Sequence, residues 1–314
     1  MYVKSTKEIL DKANTGYYGV GAFNVNNLEF IQGIIFAAIE KRSPVIIETS
    51  EGAMAYAGGG DFKKGAKVLA DMVRRYADDI PAPVALHLDH GHDLDHVLAA
   101  IRAGYTSVMI DASAKPFEEN LQITSEVVKI AHAAGISVEA ELGKLVGMED
   151  NVSVAQRDAT LVDPDEAKIF VDKTGVDFLA PAIGTSHGAF KFKGEAKLDF
   201  DRLARVKSLT KIPLVLHGAS SVLDTDVQKA NAYGAKIEGA KGVPYDVIKQ
   251  AIKYGINKIN TDTDLRIAFL AELRKVLHDK PSEIDPRDFF KPATDAVKNV
   301  VAQRMDVLGS SGKA

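Results

Sequence analysis

Short runs rich in β-branched and aliphatic residues alternate along this chain with longer segments whose apolar residues recur at helical spacing. The short runs predict eight strands, at residues 19–24, 44–50, 84–90, 107–111, 137–142, 177–183, 213–217 and 257–261. The longer segments predict helices. Between residues 28 and 42, for instance, the spacing of Ile31, Ile34, Ile35 and Ala38 places all four on one buried face.

Strands that alternate with helices predict parallel pairing through right-handed crossovers, and eight such units close most simply as a (β/α)8 TIM barrel. We predict one α/β catalytic domain over residues 1–314, with a leading helix in 1–16, the barrel in 17–277 and a C-terminal helical extension in 278–314. A capping box from Ser5 to Glu8 would start a leading helix that closes the barrel floor, and helix 293–308 would pack on the barrel or on a second subunit. A doubly wound open sheet is the alternative, but no Gly-x-Gly-x-x-Gly follows the first strand.

The composition restricts which side chains could bind a metal ion or act as a nucleophile. The 314 residues include no cysteine, which excludes disulfides, thiolate ligands and a cysteine nucleophile, so a tight metal site must use His, Asp and Glu. The formal charge of −4 is spread along the chain, which argues against nucleic acid as a partner. No apolar run approaches the ~18 residues of a membrane span, and the first residues lack a secretory apolar region. We therefore expect a cytoplasmic protein.

A polar side chain stands at or just after the end of every predicted strand. These residues are Asn24, Ser50, Asp89 with His90, Asp111, Glu141, His187, His217 and Asn260. A barrel brings the carboxyl ends of all its strands to one face. Core packing gives no reason for polar residues to collect there, so the pattern predicts an active site.

Three histidines in this set, His90, His187 and His217, could bind one metal ion and leave a coordination position open, as in catalytic zinc sites. His87 and His92 lie in the same cluster as His90, so spacing alone does not choose among them. Strand alternation also points Asp89 and His90 to opposite faces, so a twist or a bulge must end this strand.

Carboxylates accompany the predicted metal site. Asp111 and Glu141 could orient the histidines, offer an alternative metal position, or form a salt bridge in the barrel mouth. Asp89, beside a proposed ligand, is a candidate acid/base. Glu149 lies in a loop after the fifth strand and by composition alone resembles a solvated surface carboxylate.

The loops after the sixth, seventh and eighth strands could together bind a phosphate, as barrel loops commonly do. The residues that could contribute are Gly188, Lys191, Gly218, Ser220 and Thr263. Ordinary turn and helix-cap chemistry explains several of them equally well. Arg266 could reach a second phosphate, although an exposed pair with Asp262 is the simpler interpretation.

Five motifs, in order, resemble those of the class II fructose-1,6-bisphosphate aldolases. They are His87-Leu88-Asp89-His90-Gly91, residues 138–143 with 147–149, Gly184-Thr185-Ser186-His187-Gly188, His217-Gly218-Ala219-Ser220 and residues 260–264. The similarity extends over nearly the whole chain, from residues 21–24 to the C-terminal helix.

The resemblance implies a zinc-dependent aldolase that cleaves fructose 1,6-bisphosphate to dihydroxyacetone phosphate and glyceraldehyde 3-phosphate. It implies zinc ligands at His90, His187 and His217, alternative ligands at Asp111 and Glu141, and catalytic roles for Asp89, Glu149 and Asn260. It also implies substrate and phosphate contacts from Asn24, Ser50, Gly188, Lys191, Gly218, Ser220, Asp262, Thr263 and Arg266. A second divalent or a monovalent cation, and assembly as a homodimer or homotetramer, are further expectations.

Three alternatives stay open. A tagatose-bisphosphate aldolase would use the same machinery on an epimeric ketose. A Schiff-base aldolase could use Lys258, which should share the inward face of Asn260. A sugar-phosphate- or metal-binding protein without catalysis is the third, although binding alone would not need both Asp89 and Glu149.

Overall fold

The computed structural model of this chain describes residues 1–143, 146–149, 152–154, 160–187 and 198–314, with the backbone alone for 146–149, 152–154, 186 and 187. Its strands are, in chain order, β1 Val20–Asn24, β2 Val45–Thr49, β3 Val84–Gly91, β4 Ser107–Ile110, β5 Ser137–Leu142, β6 Val146–Glu149, β7 Val152–Val154, β8 Phe178–Pro181, β9 Ser186–His187, β10 Leu214–Leu216 and β11 Ile256–Thr261.

Eight of these strands close into a barrel in the order β1-β11-β10-β8-β5-β4-β3-β2, and all their pairings are parallel. Six of the barrel strands lie within their predicted runs, and β3 and β11 each extend one residue beyond theirs. The predicted TIM barrel is therefore confirmed. The strands β6, β7 and β9 form a separate small sheet in the order β7-β6-β9.

Helices surround the barrel. They are α1 Lys7–Gly16, α2 Leu28–Lys41, α3 Glu51–Ala57, α4 Phe62–Ala77, α5 Leu94–Ala103, α6 Phe117–Ala133, α7 Pro164–Thr174, α8 Phe200–Thr210, α9 Asp224–Ala232, α10 Tyr245–Lys253, α11 Thr263–Asp279 and α12 Pro286–Leu308. Side chains fix several helix starts, because Asn27, Asp61, Asp93 and Asp163 accept hydrogen bonds from first-turn backbone N–H groups. None of the helices in the described ranges combines the length and apolar character needed to cross a bilayer.

Helix α1 closes one end of the barrel. Its Ile9, Leu10 and Ala13 are buried in one apolar cluster with inward-facing strand residues that include Val20 and Phe178. The expected capping box forms only in part. Glu8 accepts a hydrogen bond from the Ser5 backbone N–H at 3.2 Å, but the Ser5 hydroxyl accepts from the Lys7 N–H, and the cap residue is Thr6.

Helix α12 packs on the barrel, which is one of the two positions expected for it from the sequence. A Cβ atom added at Gly33 of α2 would come within 2.8 Å of Val297, so glycine permits the close approach of the two helices. The helix begins at Pro286, earlier than the predicted residue 293, because Asp285 caps it and proline occupies its first turn.

The barrel interior changes character from floor to mouth. Apolar side chains fill the level above α1. The next level holds fully buried polar and charged residues, namely Glu48, His87, Ser107, Glu139 and Lys258, which we call the ionic layer. Asp89, Glu141, His217 and Asn260 lie at the mouth, also buried. The predicted active-site residues therefore rest on buried charges and not on an apolar core.

Candidate active site

A bulge at the end of β3 turns two adjacent residues toward the barrel mouth. The pairing of β3 with β4 shifts register between Leu88 and Gly91, and His90 has a φ of +47°, in the left-handed region. Asp89 consequently contacts Asn260 while His90 contacts Asp111. The bulge that the sequence required is present.

His90 and His217 meet at the mouth, with ring centroids 4.5 Å apart. The His90 Nδ1 lies 2.8 Å from the Asp111 Oδ2. The His217 Nε2 lies 2.7 Å from the Glu139 Oε1, and its Nδ1 lies 3.2 Å from the Glu141 Oε2. The His90 ring is thus held by a partly buried carboxylate at one nitrogen, and the His217 ring lies between two buried carboxylates.

Two sets of possible metal ligands include His90. Ligand atoms of Asp89, His90 and His217 lie within 4.8 Å of one another, and so do those of His90, Asp111 and Glu141. Burial and the neighbouring His90 act to lower the pKa of His217, but hydrogen bonds with Glu139 and Glu141 raise it to about 10. Burial acts to raise the pKa of Asp111, but the hydrogen bond with His90 holds it well below its usual range. The carboxylates at the barrel mouth therefore stabilise positive charge there.

The other two predicted groups of the centre, His187 and Glu149, are described by backbone alone. Both lie in short strands and not in the loops expected from the sequence. Strands β6 and β9 pair in parallel, with Gly147 opposite His187, and β6 turns back on β7, with Glu149 opposite Val152. The small sheet therefore joins the segments that carry the two residues. Gly188 and Lys191 lie outside the described residues.

Asp89 is held by two amides. Its Oδ2 accepts a hydrogen bond from the Asn24 Nδ2 at 2.9 Å, and its Oδ1 accepts one from the Asn260 Nδ2 at 3.0 Å. Asp89 is 1% exposed, so its carboxylate has a fixed orientation beside His90. Three predicted site residues from β1, β3 and β11 are thus one hydrogen-bonded unit.

A cavity of about 240 Å³ opens beside this unit and is lined by four predicted substrate residues, Asn24, Ser50, Asp262 and Arg266. The Arg266 Nε donates to the Asp262 Oδ1 at 2.7 Å, so the expected pair forms, and the phosphate contact of Arg266 stays a prediction. The Ser50 hydroxyl caps α3 by accepting from the Ala53 N–H.

The loops after β10 and β11 are tied together. The Ser220 hydroxyl accepts from the Asp262 N–H at 3.2 Å, and the Asp264 carboxylate accepts from the N–H groups of Ser221 and Val222. Gly218 has a φ of +59°, which favours glycine, and Thr263 begins α11. Gly218, Ser220 and Thr263 therefore belong to one connected region, as predicted.

The ionic layer below the mouth contains two residues that the sequence offered only as alternatives, His87 and Lys258, together with Glu48 and Glu139, which it did not single out. The Lys258 Nζ lies 3.0 Å from the Glu139 Oε2 and 3.1 Å from the Glu48 Oε2. His87, the alternative ligand in the first motif, lies in this layer. Its Nδ1 is 2.7 Å from the Ser107 hydroxyl and its Nε2 is 3.4 Å from Glu139. Alternation of inward positions in β5 and β11 is the signal that could have placed these charges in the barrel.

The Schiff-base alternative does not fit Lys258. The residue faces inward as expected, but it is fully buried between carboxylates. Burial acts to lower its pKa, and the neighbouring carboxylates, above all Glu139, overcome this effect and raise it above its usual range. A nucleophilic lysine needs a lowered pKa, so this amine stays protonated.

A parallel (β/α)8 barrel with imidazoles and carboxylates gathered at its mouth is the architecture of a barrel enzyme with a candidate metal centre. The model of the family described as fructose-bisphosphate aldolase class-II matches residues 4–238 and 236–313, and this chain belongs to that family.

Relatives agree with this assignment. The chain is 55% identical over 313 residues to a fructose-bisphosphate aldolase from Helicobacter pylori, covering 100% of both chains. It is 52% identical over 307 residues to a fructose-bisphosphate aldolase from Thermus caldophilus, covering 98% of both. Among solved structures, the YdjI aldolase of Escherichia coli K12 superposes with a TM-score of 0.79 at 33% identity, covering 100% of both chains.

Proposed function

We propose that this chain is a metal-dependent aldolase that reversibly cleaves fructose 1,6-bisphosphate to dihydroxyacetone phosphate and glyceraldehyde 3-phosphate. The observation that carries the proposal is the convergence of His90 and His217 with the amide-held Asp89 at the barrel mouth, in a chain of the class II family. The names of the relatives support the same substrate.

The donor set fits zinc. Imidazole and carboxylate are zinc ligands, and the chain has no cysteine to compete for the metal. Because the His90 Nδ1 bonds Asp111 and the His217 Nε2 bonds Glu139, His90 would bind through Nε2 and His217 through Nδ1. His187 is the proposed third ligand, and Asp111 and Glu141 would orient the histidines or offer a second metal position. A bound zinc ion would act as a Lewis acid and stabilise the enediolate by several kcal/mol.

Two carboxylates would handle the two protons of the reaction. In the cleavage direction Asp89 would take the proton of the hydroxyl that becomes the aldehyde oxygen, and Glu149 would deliver a proton to the carbon next to the ketone. The Asn260 amide would steady the enediolate between these steps. The fixed hydrogen bonds of Asp89 support this role, because they hold its carboxylate in one orientation.

The two phosphates would mark the two ends of the bound substrate. One would lie in the loops after β8, β10 and β11, with Gly188, Lys191, Gly218, Ser220 and Thr263. The other would lie in the cavity lined by Asn24, Ser50, Asp262 and Arg266, where the exposed Arg266 could serve its own site or that of a neighbouring subunit. A homodimer or homotetramer stays a prediction, which sedimentation velocity would decide, and so does a second divalent or a monovalent cation.

The test is a metal-resolved assay with both ketose bisphosphates. Chelator treatment should abolish cleavage and zinc should restore it, with fructose 1,6-bisphosphate the preferred substrate over tagatose 1,6-bisphosphate. Faster turnover of the tagatose compound would contradict the substrate assignment. Activity that survives complete metal removal would contradict the mechanism.

A second arm separates catalysis from binding. Asp89→Ala should lower turnover far more than the affinity for dihydroxyacetone phosphate, measured by calorimetry. The matched control is Asp71→Ala, at an exposed position, which should change neither the turnover nor the affinity. Equal losses of turnover and affinity in Asp89→Ala would favour a binding protein.

A further inference from the structure

Three oxygen atoms surround the ammonium of Lys258, a buried residue of the ionic layer. The Lys258 Nζ donates to the Asn260 Oδ1 at 2.8 Å and lies 3.0 Å from the Glu139 Oε2 and 3.1 Å from the Glu48 Oε2. The residue is fully buried and cannot contact a substrate at the mouth. The proposed reaction does not use it.

The contact with Asn260 decides how that side chain is oriented. An amide presents an oxygen that accepts and a nitrogen that donates, and a half turn exchanges them. An ammonium has only donors, so the Asn260 oxygen must face Lys258. The Asn260 nitrogen then faces the Asp89 carboxylate, 3.0 Å away. After a half turn the amide oxygen would face a carboxylate, which is repulsive.

We propose that Lys258 is a positioning residue of the active site, which locks the Asn260 amide with its nitrogen toward Asp89. The inference rests on the proposed function, since it assigns to Lys258 the orientation of two groups that take part in the reaction. Lys258 acts through Asn260 and touches neither the substrate nor the metal.

Glu139 extends the same arrangement to the other half of the site. Its Oε2 faces Lys258, and its Oε1 accepts from the His217 Nε2 at 2.7 Å. This contact orients His217 with Nε2 toward Glu139, and its Nδ1 then lies at the mouth, 3.2 Å from the Glu141 Oε2. One buried carboxylate therefore holds both a candidate metal ligand and the ammonium that orients the amide.

A double-mutant cycle tests the proposal. Lys258→Met should lower kcat per bound zinc by about 10- to 100-fold, the size expected for loss of a supporting hydrogen bond in such a centre. In an Asn260→Ala background the same substitution should cost less than about threefold, because the amide it orients is already gone. Lys258→Arg, which keeps a donor and the charge, should recover part of the loss.

Zinc affinity, measured by competition with a chromophoric chelator, distinguishes the role of Lys258 from that of Glu139 without any assay of activity. Lys258→Met should leave it within about threefold, and Glu139→Gln should weaken it by about 10- to 100-fold. Lys207→Met is the control, because it removes another ammonium, partly buried, whose hydrogen-bond acceptors lie outside the site. It should change neither zinc affinity nor kcat.

Lys258→Met leaves Glu139 as a buried charge without its partner, so it could fail to fold. The pair can then be removed together. The effect of Lys258→Met on kcat can then be measured in a Glu139→Gln background, by comparing Glu139→Gln/Lys258→Met with Glu139→Gln alone. This background is suitable because the introduced amide oxygen still accepts from His217. An equal loss of kcat in the presence and absence of Asn260 would overturn the proposal, as would an unchanged kcat. A wild-type chain that binds zinc but cleaves neither bisphosphate would instead refute the proposed function.

Discussion

Replacing Arg304 should detach the C-terminal helix from the loops that end β10 and β11. Arg304 lies in α12 and is fully buried. Its guanidinium donates to the Ser221 hydroxyl at 2.8 Å, and to the Ala219 carbonyl and the Thr261 hydroxyl at 3.0 Å each. Arg304→Met keeps a long apolar stem and removes all three hydrogen bonds.

The contacts set the size of the effect. The Ala219 carbonyl and the Thr261 hydroxyl are buried, and an unsatisfied buried acceptor costs about 1–3 kcal/mol. Removing the guanidinium offsets part of this cost, because the charge no longer has to be desolvated. Among the described residues no carboxylate pairs with Arg304 within 4.0 Å, so no lone partner charge remains. We expect a net loss of about 2–4 kcal/mol in the free energy of unfolding.

Equilibrium urea unfolding and thermal melting would measure this loss. A shift of about 2 °C per kcal/mol predicts a melting temperature lower by roughly 4–8 °C. The control is Arg287→Met in the same helix, whose side chain is 87% exposed and whose loss should cost less than about 0.5 kcal/mol. Equal stability of the two variants would refute the reasoning. KM for the ketose bisphosphate should also rise in Arg304→Met, because Ser220 lies between two of the released residues.

Three further predictions concern polar groups that are buried or partly buried. Burial and the Asp89 charge raise the pKa of Glu48 to about 8 from 4.5, so wild type loses the stabilisation from its protonated form as pH rises between these values. Glu48→Gln cannot ionise and should therefore gain stability relative to wild type from pH 5 to 8. Urea midpoints of the two proteins that change in parallel over this pH range would contradict the prediction. Asp111→Asn weakens the acceptor that orients His90 and should lower zinc affinity by about 10- to 100-fold in chelator competition, whereas unchanged affinity would exclude that role. Lys207→Met removes hydrogen bonds to Ile212 and Asn257 and should cost about 1–3 kcal/mol in urea unfolding; a wild-type midpoint would show that these acceptors find other donors.

The barrel and most of its mouth could be predicted from the sequence because both depend on local pattern. Each strand is a short apolar run, and its last residues are polar, so the fold alone brings Asp89, His217 and Asn260 to one end. The need for a bulge at His90 also followed, since two adjacent residues could not face the same way in a regular strand.

The ionic layer could not be predicted in the same way. Glu139 and Lys258 lie far apart in the chain, and no local pattern shows that they pair inside the barrel. Alternation does place Glu139 on the face of Glu141, but it does not reveal which partner compensates the charge. The contact between Arg304 and Thr261 depends equally on packing that forms only in the folded chain. The early start of α12, in contrast, had a readable signal in Asp285 followed by Pro286.

The kink at His90 lets two adjacent residues of one strand share the candidate reaction centre. Consecutive Cα atoms are about 3.8 Å apart, so Asp89, the proposed acid/base, and His90, a proposed metal ligand, are separated by a single peptide unit. Breathing of the barrel cannot change that interval, although it could move either group relative to residues on other strands. The left-handed conformation of His90, with a φ of +47°, therefore sets the directions of the two side chains, while the peptide bond sets their spacing. Straightening this one peptide would turn one of the two side chains away from the ketose.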